Sequence, residues 1–213
     1  LHTGYGSKAN ILREYQRILA KEDSETEITA AHDIGGFIDS DHFSPAGYDQ
    51  FAGRIFRQIS RTIYKNDEDD EDIDSPNISQ IFFTSGLRNE LLLEFSDVET
   101  LYWENDSIID GIQYHLKDYF YFYNDGVPVT TAAVDTGYVN NNILTLKLDS
   151  TITANSVSYL PARFYNNTEI KYEGPWLKSA KGVPALSFWQ FPITIGEGVP
   201  DVTDIPNQTV GVG

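Results

Sequence analysis

The sequence predicts an α/β segment followed by an all-β sandwich domain. Two helix-spaced apolar patterns flank one short apolar run in residues 1–65, and an acidic stretch interrupts the chain at 66–76. Beyond that stretch the helical spacing gives way to short β-rich runs in residues 77–195. The tail, residues 196–213, is rich in Gly, Pro and Val and is predicted to lead to a further module.

The α/β segment is predicted as helix, strand, loop and helix. Apolar residues recur at helical spacing between Ser7 and Glu22, with Ser7 as the N-cap, and a short buried strand is expected over residues 28–34. A second amphipathic helix is expected to begin at Ser44, because Pro45 suits the first helical position, and to bury one apolar face up to residue 63.

The acidic stretch is predicted to be an interdomain linker, because a run of like charges is costly to bury together. Clustered carboxylates could instead bind Ca²⁺, but this stretch lacks the ordered spacing of a defined calcium loop. Turns of the sandwich are expected at residues 85–86, 124–126 and 140–142. Strands are expected at 78–84, 90–95, 111–123, 127–134, 142–148, 156–160 and 185–191.

Composition excludes several classes of function. The chain has 15 Lys and Arg against 32 Asp and Glu, a formal charge of −17, which argues against nucleic acid or an anionic membrane as partner. Without cysteine there is no thiolate nucleophile, disulfide framework or Cys-ligated metal, and no apolar run approaches the ~20 residues of a membrane span. The start at Leu1 in mid-domain sequence and the absence of Met predict a piece of a longer protein.

The segment that carries chemistry is the loop before the second helix. Asp39 stands three residues before His42, so its carboxylate can turn onto imidazole Nδ1 and leave Nε2 facing outward as a general base. The Pro45 and Gly47 that follow start a helix that backs this loop. An Asp–His pair of this kind is two-thirds of a hydrolytic triad. The structural alternative is a loop histidine bonded to a neighbouring carboxylate.

This block resembles the SGNH (GDSL-type) hydrolases, whose last sequence block is Asp-x-x-His continued as His-x-x-Pro-x-Gly-Tyr. Residues 39–48 match that pattern position by position, and Arg13-Glu14-Tyr15-Gln16 is similar to the Arg-Glu-x-Gln helix of carbohydrate acetylesterases in the family. The resemblance covers roughly residues 1–65. It implies that this part is the C-terminal remnant of a flavodoxin-like hydrolase domain.

By this resemblance His42 would deprotonate a serine and Asp39 would orient His42. Asp41 stands beside the pair and is the minor candidate for the carboxylate. The Gly-Asp-Ser block with the nucleophile, and the Gly and Asn blocks of the oxyanion hole, are absent from this sequence. The chain therefore lacks the means to form an acyl-enzyme alone, and its expected partner is the missing N-terminal part of the domain, in the same or a companion chain. No metal or organic cofactor is implied.

The remaining histidines, His2, His32 and His115, have no comparable surroundings and are interpreted as surface or structural residues. Although Asp33 follows His32, adjacent residues on a strand point to opposite faces, which disfavours a second dyad.

Tyrosines alternate along the aromatic run 119–123. Tyr119, Tyr121 and Tyr123 fall on one side of the expected strand and form either a sugar-stacking platform or a second packed face. Residues 172–178 and 182–191 look like the closing part of β-sandwich modules in secreted bacterial carbohydrate esterases.

The sequence thus favours the C-terminal portion of a secreted or cell-surface bacterial serine esterase that removes acetyl groups from a polysaccharide or glycan. The substrate follows from the family resemblance alone. The alternative is a non-catalytic glycan-binding or structural module at the cell surface, favoured by the absent nucleophile and the Tyr-rich run.

Overall fold

The structure, a computed structural model, describes residues 8–35, 42–66, 73–162 and 172–194. Its helices are α1 (Ala9–Glu22) and α2 (Pro45–Thr62), with a 3₁₀-helix at Leu116–Tyr119. The strands in these ranges are β1 (Asn77–Phe83), β2 (Glu90–Ser96), β3 (Leu101–Trp103), β4 (Ser107–Ile109), β5 (Ile112–Tyr114), β6 (Phe120–Asn124), β7 (Val127–Val129), β8 (Val134–Asn140), β9 (Ile143–Leu148), β10 (Ser156–Tyr159), β11 (Leu177–Ser179) and β12 (Phe188–Pro192).

The prediction of an α/β, flavodoxin-like part is wrong. The described chain is β-rich with two α-helices, and residues 28–34 pair with no neighbouring strand among the described residues. Side chains satisfy part of this segment's backbone instead: Ser75 Oγ accepts from the Ala30 amide at 2.9 Å, and Gln58 Nε2 donates to the Ile28 carbonyl at 3.1 Å. An apolar run predicts a buried, extended segment, but a β-strand also needs a neighbouring strand with which to form hydrogen bonds.

Two antiparallel four-stranded sheets form the body of the molecule, in the orders β1-β2-β9-β8 and β12-β10-β6-β7. Register is continuous from Leu91 opposite Leu146 to Leu93 opposite Leu144, and this alternation points both pairs into the core. The second sheet pairs Val157 with Phe122 and with Phe191. Smaller pairs, β11-β3 and β4-β5, lie outside the two sheets.

One hydrophobic core lies between the two sheets, which is the arrangement of a β-sandwich. Leu93 and Leu144 of the first sheet and Val157 and Tyr159 of the second are fully buried in the same cluster. The rings of Phe95 and Phe188 meet across it with centroids 6.5 Å apart. The all-β part of the prediction agrees with this architecture.

Turn chemistry fixes two of the hairpins. Asp125 and Gly126 both have positive φ, 49° and 79°, between β6 and β7, as a two-residue type I′ turn requires. Asn141, with φ 52°, turns β8 into β9. The turns expected at residues 124–126 and 140–142 are confirmed.

Four strands were not predicted from the sequence: β3, β4, β8 and β11. Three of them have only three residues, too few for an alternating pattern to be recognised. The fourth, β8, contains Gly137, which a sequence pattern scores against a strand. An added Cβ at Gly137 would lie 2.4 Å from the Trp103 ring, so the indole occupies the space that a side chain at this position would need.

No helix within the described ranges combines the length and the hydropathy needed to cross a bilayer.

Candidate active-site loop

The loop that carries the predicted base ends at a well-formed helix start. Ser44 is the N-cap of α2, where its Oγ accepts from the Gly47 amide at 3.2 Å, and Pro45 occupies the first turn. Phe43 packs edge-on to Tyr48 with ring centroids 5.6 Å apart. His42 therefore lies two residues before a capped helix, with its neighbour Phe43 held by that helix.

Gly47 holds the two ends of the loop together. A Cβ at this position would lie 2.9 Å from Phe43 Cβ and 3.2 Å from both the Gly35 carbonyl oxygen and Ile34 Cγ2. Because glycine has no Cβ, the first turn of α2 can approach the residues on both sides of the loop. The glycine of the Pro-x-Gly pattern is therefore explained by this close packing.

Gly47→Ala is expected to destabilise the protein by about 1–3 kcal/mol, since backbone and a packed Cβ must both shift to admit the methyl group. Urea unfolding measures this loss. The matched control is Gly53→Ala in the same helix, where nothing lies within 4 Å of the new Cβ. That variant should gain up to about 1 kcal/mol from helix propensity, and equal effects at both glycines would contradict the packing argument.

His42 is exposed at the end of this loop. Its two candidate carboxylates, Asp39 and Asp41, lie outside the described residues, so the Asp39–His42 pair stays a prediction. Ser7 and the tail 196–213 also lie outside them, and the N-cap of α1 is Lys8 and not the expected Ser7. Within the described residues no three His, Asp or Glu side chains gather as metal ligands.

Asp33 is committed to a buried ion-pair network and not to a catalytic dyad. Its two carboxylate oxygens each accept from Arg54 of α2 at 2.7 Å, and Arg54 also donates to the Ala30 carbonyl at 2.8 Å. Lys178 of β11 approaches the same carboxylate at 3.7 Å and pairs with Glu104 at 2.7 Å. The network joins α2, the segment before the loop and the sandwich.

His32 lies at the same junction but faces aromatic rings. It is buried and contacts Trp176 edge-on with centroids 4.9 Å apart, and neither ring nitrogen has a hydrogen-bond partner among the described residues. Burial, helped by the positive charges of Arg13, Arg54 and Lys178, holds the pKa of His32 well below its usual range. The ring is therefore neutral and packs as a structural residue, but no described residue satisfies its nitrogens as expected of a satisfied structural histidine.

Acidification is expected to destabilise the fold through His32. In the unfolded chain this group protonates near pH 6.5, whereas the folded state resists protonation, so the unfolded state binds more protons as pH falls below about 6.5. The free energy of unfolding should then fall by up to about 1.4 kcal/mol per pH unit until the folded pKa is reached. Urea unfolding at pH 7.5, 6.5 and 5.5 tests this, and a His32→Phe variant with the same slope would contradict it.

A second Asp–His pair was missed by the sequence analysis. His115 Nδ1 lies 2.6 Å from Asp106 Oδ2, and the two residues directly flank the β4-β5 hairpin. Cross-strand pairing brings them together, and the signal was available only once that hairpin was recognised. Both side chains are partly exposed and close the open end of the hairpin.

The three tyrosines do not form an open stacking platform. Tyr119 is 3% and Tyr123 2% exposed, while Tyr121 is half-buried. Tyr119 lies in the 3₁₀-helix and donates its hydroxyl proton to the Gly174 carbonyl at 2.6 Å, and Tyr123 packs against Trp189. Both faces of β6 are covered, so the tyrosine rings form a second packed face and not a sugar-stacking platform.

The C-terminal end of the acidic stretch is packed rather than solvated. Ile73 and Ser75 are buried, and Asp74 accepts from Arg61 at 2.9 Å. Residues 67–72 lie outside the described part. The boundaries predicted around the linker stay a prediction.

The residues that the two helices bury are polar or glycine, and several of their apolar side chains are exposed. In α1 the buried residues are Asn10, Arg13 and Arg17, whereas Leu12 and Tyr15 are 59% and 69% exposed. The prediction that the second helix buries its apolar face is wrong, because its buried residues are Gly47, Gln58 and Ser60. Exposed apolar residues of α2 and its end are Tyr48, Phe56, Ile59, Ile63 and Tyr64.

Polar contacts explain why α1 turns its polar face, and not its apolar face, toward the sandwich. Arg13 donates to the Leu160 carbonyl at 2.9 Å, Arg17 donates to Asn77 at 2.9 Å, and Glu14 accepts from the Trp189 amide at 3.0 Å. These bonds dock the polar face of α1 on the sandwich. The apolar face is left pointing away from it.

An apolar groove of about 850 Å³ lies between the helices, over residues 25–31. Its apolar lining includes Leu19, Phe43, Phe51, Ile55, Ile59 and Ile63. Phe43, which lines the groove, is the residue that follows the predicted base His42 in the chain. We call this surface the apolar groove.

The sequence matches no family model and no curated protein. The structure is similar to the crystal structure of a carbohydrate acetylesterase from Xanthomonas citri, with a TM-score of 0.48 and 13% sequence identity. The similarity covers 73% of this chain and 30% of that one, so the chain spans less than a third of the acetylesterase. A TM-score below 0.5 at this identity establishes neither a shared fold nor a shared activity.

Proposed function

We propose that this chain supplies the Asp39–His42 pair of a Ser-His-Asp triad in an SGNH-type serine esterase. The nucleophile and the oxyanion-hole donors belong to polypeptide outside this sequence, in the same or a companion chain. The substrate is an acetyl ester of a polysaccharide or glycan. Because such polymers lie outside cells, the proposal places the enzyme in a secreted or cell-surface bacterial protein.

The observation that carries the proposal is the exposed apolar groove that Phe43, the residue after His42, helps to line. Leu19, Ile59 and Ile63 line the apolar groove and are 53%, 37% and 67% exposed. A contiguous apolar surface of this kind marks an interaction site. Polypeptide that covers this groove would contact Phe43, one residue from His42, and so bring a serine toward the base.

The loop geometry supports the same proposal. Ser44, Pro45 and Gly47 fix the start of α2 and hold it against both ends of the loop. A catalytic base needs such support, because misplacement by about 1 Å costs about 10²-fold in rate. The resemblance of residues 39–48 to the last block of SGNH hydrolases names the roles.

In the proposed reaction His42 Nε2 accepts the proton of the serine hydroxyl as its oxygen attacks the acetyl carbonyl. Asp39 accepts from Nδ1–H and keeps the imidazole in the tautomer that leaves Nε2 free. His42 then gives its proton to the sugar oxygen, which leaves as an alcohol. In the second half, water attacks the carbonyl of the acetyl-serine as His42 takes a proton from it, and His42 then returns that proton to the serine oxygen as acetate leaves.

Co-production with the polypeptide encoded directly ahead of this chain tests the proposal. We expect a stable complex that hydrolyses acetyl esters and in which hydrogen exchange slows in α1 and α2. Leu19→Asp and Ile63→Asp should disrupt it, because each places a charge in the apolar groove.

The matched control is Leu87→Asp, which changes an apolar side chain in a turn of the sandwich that is 68% exposed, close to the 67% of Ile63. It should leave the complex intact. A preceding gene sequence without a Gly-Asp-Ser block, or a complex insensitive to the groove variants, would contradict the proposal.

A further inference from the structure

The segment before the candidate active-site loop is held from two sides. Asp33 stands two residues before Gly35 and nine before His42. On one side, Arg54 of α2 donates to both carboxylate oxygens of Asp33 at 2.7 Å. On the other side, Nζ of Lys178 in β11 lies 3.7 Å from Oδ2 of the same carboxylate. One carboxylate therefore joins the helix behind the loop to the β-rich part.

Lys178 is itself fixed by the sandwich. Its Nζ pairs with Oε1 of Glu104 at 2.7 Å, and Oε2 of Glu104 accepts from the Trp176 amide at 2.7 Å. On the backbone, Lys178 pairs with Tyr102 of β3. The side chain of Lys178 is 18% exposed, so solvent and salt screen its charge less than that of a surface lysine. The ammonium group therefore reaches Asp33 from a preorganised position.

The same part of the sandwich also contacts the residue before Asp33. The ring of His32 packs edge-on to Trp176 with centroids 4.9 Å apart, and its centroid lies 6.4 Å from that of Tyr159. His32 thus contacts the sandwich through its ring and Asp33 through its charge. Together the two contacts fix the direction in which the chain enters the loop.

A shift at residue 33 would pass directly to the loop. Ile34 and Gly35 pack on the first turn of α2, since Ile34 Cγ2 and the Gly35 carbonyl oxygen would each lie 3.2 Å from a Cβ at Gly47. His42 lies at the other end of the same loop, just before that helix turn. Misplacement of a catalytic group by about 1 Å costs about 10²-fold in rate. The position of Asp33 therefore bears on the rate of the proposed reaction.

We propose that Lys178 is a positioning residue for His42, acting through Asp33, so that the β-sandwich helps to hold the catalytic base. The proposal rests on the proposed function for its reaction. It gives the β-rich part a role in that reaction through the position of the loop rather than through contact with the substrate.

Hydrogen exchange in the 213-residue chain tests the structural step without needing hydrolysis. Lys178→Met removes the charge but leaves Asp33 its paired bonds to α2, so the fold survives. Exchange should become at least about fivefold faster in peptides that span residues 34–48. Lys147→Met is the matched control, because it removes the same charge from a surface pair with Glu90. It should leave exchange in those peptides unchanged.

Kinetics of the completed enzyme test the functional step. Lys178→Met should lower kcat for acetyl-ester hydrolysis by about tenfold and leave KM within about twofold, because the position of the base matters in the transition state. Lys178→Arg keeps a positive charge between the two carboxylates and should recover about half of kcat or more. The acid limb of the pH profile of kcat/KM should stay at the same pH, since the lysine acts on the position of His42 and not on its charge.

Unchanged exchange at residues 34–48, or a kcat of Lys178→Met within about twofold of the unsubstituted enzyme, would overturn the proposal. So would an equal loss of kcat in Lys147→Met. A displaced acid limb would show that the charge of Lys178 acts on His42 itself, which contradicts a positioning role. A completed protein without esterase activity would instead reject the proposed function, and faster exchange in Lys178→Met would then leave the contact between the sandwich and the loop standing.

Discussion

His42→Ala in the completed enzyme is expected to lower kcat for acetyl-ester hydrolysis by about 10⁴-fold or more, because the serine then has no base to accept its proton. KM should change little, since the imidazole acts on the serine rather than on the ground-state sugar. Steady-state kinetics on an acetylated oligosaccharide measure both constants. A loss below about tenfold in kcat would show that another group removes the proton.

The neighbouring aspartates provide a matched pair of variants for the same claim. Asp39→Asn should lower kcat by about 10⁴-fold, because an amide at this position no longer favours the reactive tautomer of His42. Asp41→Asn makes the same chemical change two residues further along and should leave kcat within about threefold. The reverse ranking would assign the carboxylate to Asp41.

Asp33→Ala is expected to destabilise the protein by about 3 kcal/mol or more, because it leaves the guanidinium of Arg54 without its paired acceptor in a mostly buried position. The side chain of Arg54 is 12% exposed and that of Asp33 is 6% exposed, so water compensates little. Urea unfolding of the two proteins measures the difference.

Glu90→Ala is the control for this prediction. Glu90 pairs with Lys147 at 3.7 Å on the surface of the sandwich, where Lys147 is half-exposed. Such pairs contribute about 0–1 kcal/mol. If Asp33→Ala costs no more than Glu90→Ala, the buried network does not hold the helices to the sandwich.

The start of α2 was predictable because its signals are local, whereas α1 begins after Lys8 and not at the expected cap Ser7. Ser44 and Pro45 define the beginning of α2 without reference to the rest of the chain, and the Asp125-Gly126 turn is likewise set by the φ angles that these two residues tolerate. Which face of each helix is buried depends on contacts with residues far away in the sequence. Periodicity placed the apolar residues of α1 on one side, but only the contacts of Arg13 and Arg17 show that the opposite side is the buried one.

The aromatic run shows the same limit. Alternation along β6 assigned Phe120 and Phe122 correctly to the core, whereas Tyr119 and Tyr123 were left between platform and packing. Tyr119 is packed because it lies in the 3₁₀-helix at residues 116–119, and Tyr123 is packed because it contacts the ring of Trp189. Neither contact can be predicted from the spacing of residues in the sequence. Of the candidate site, the motif predicted the capped helix behind His42, while the packing purpose of Gly47 needed the structure.

Labelling with a fluorophosphonate tests the central claim most directly. This reagent phosphonylates an activated serine and releases fluoride, so it reports the triad without any assumption about the ester. On the complex of this chain with its completing polypeptide, we predict one modified serine, located in the completing polypeptide and lost in His42→Ala. Labelling that persists in His42→Ala, or that falls on a serine of this chain, would contradict the account.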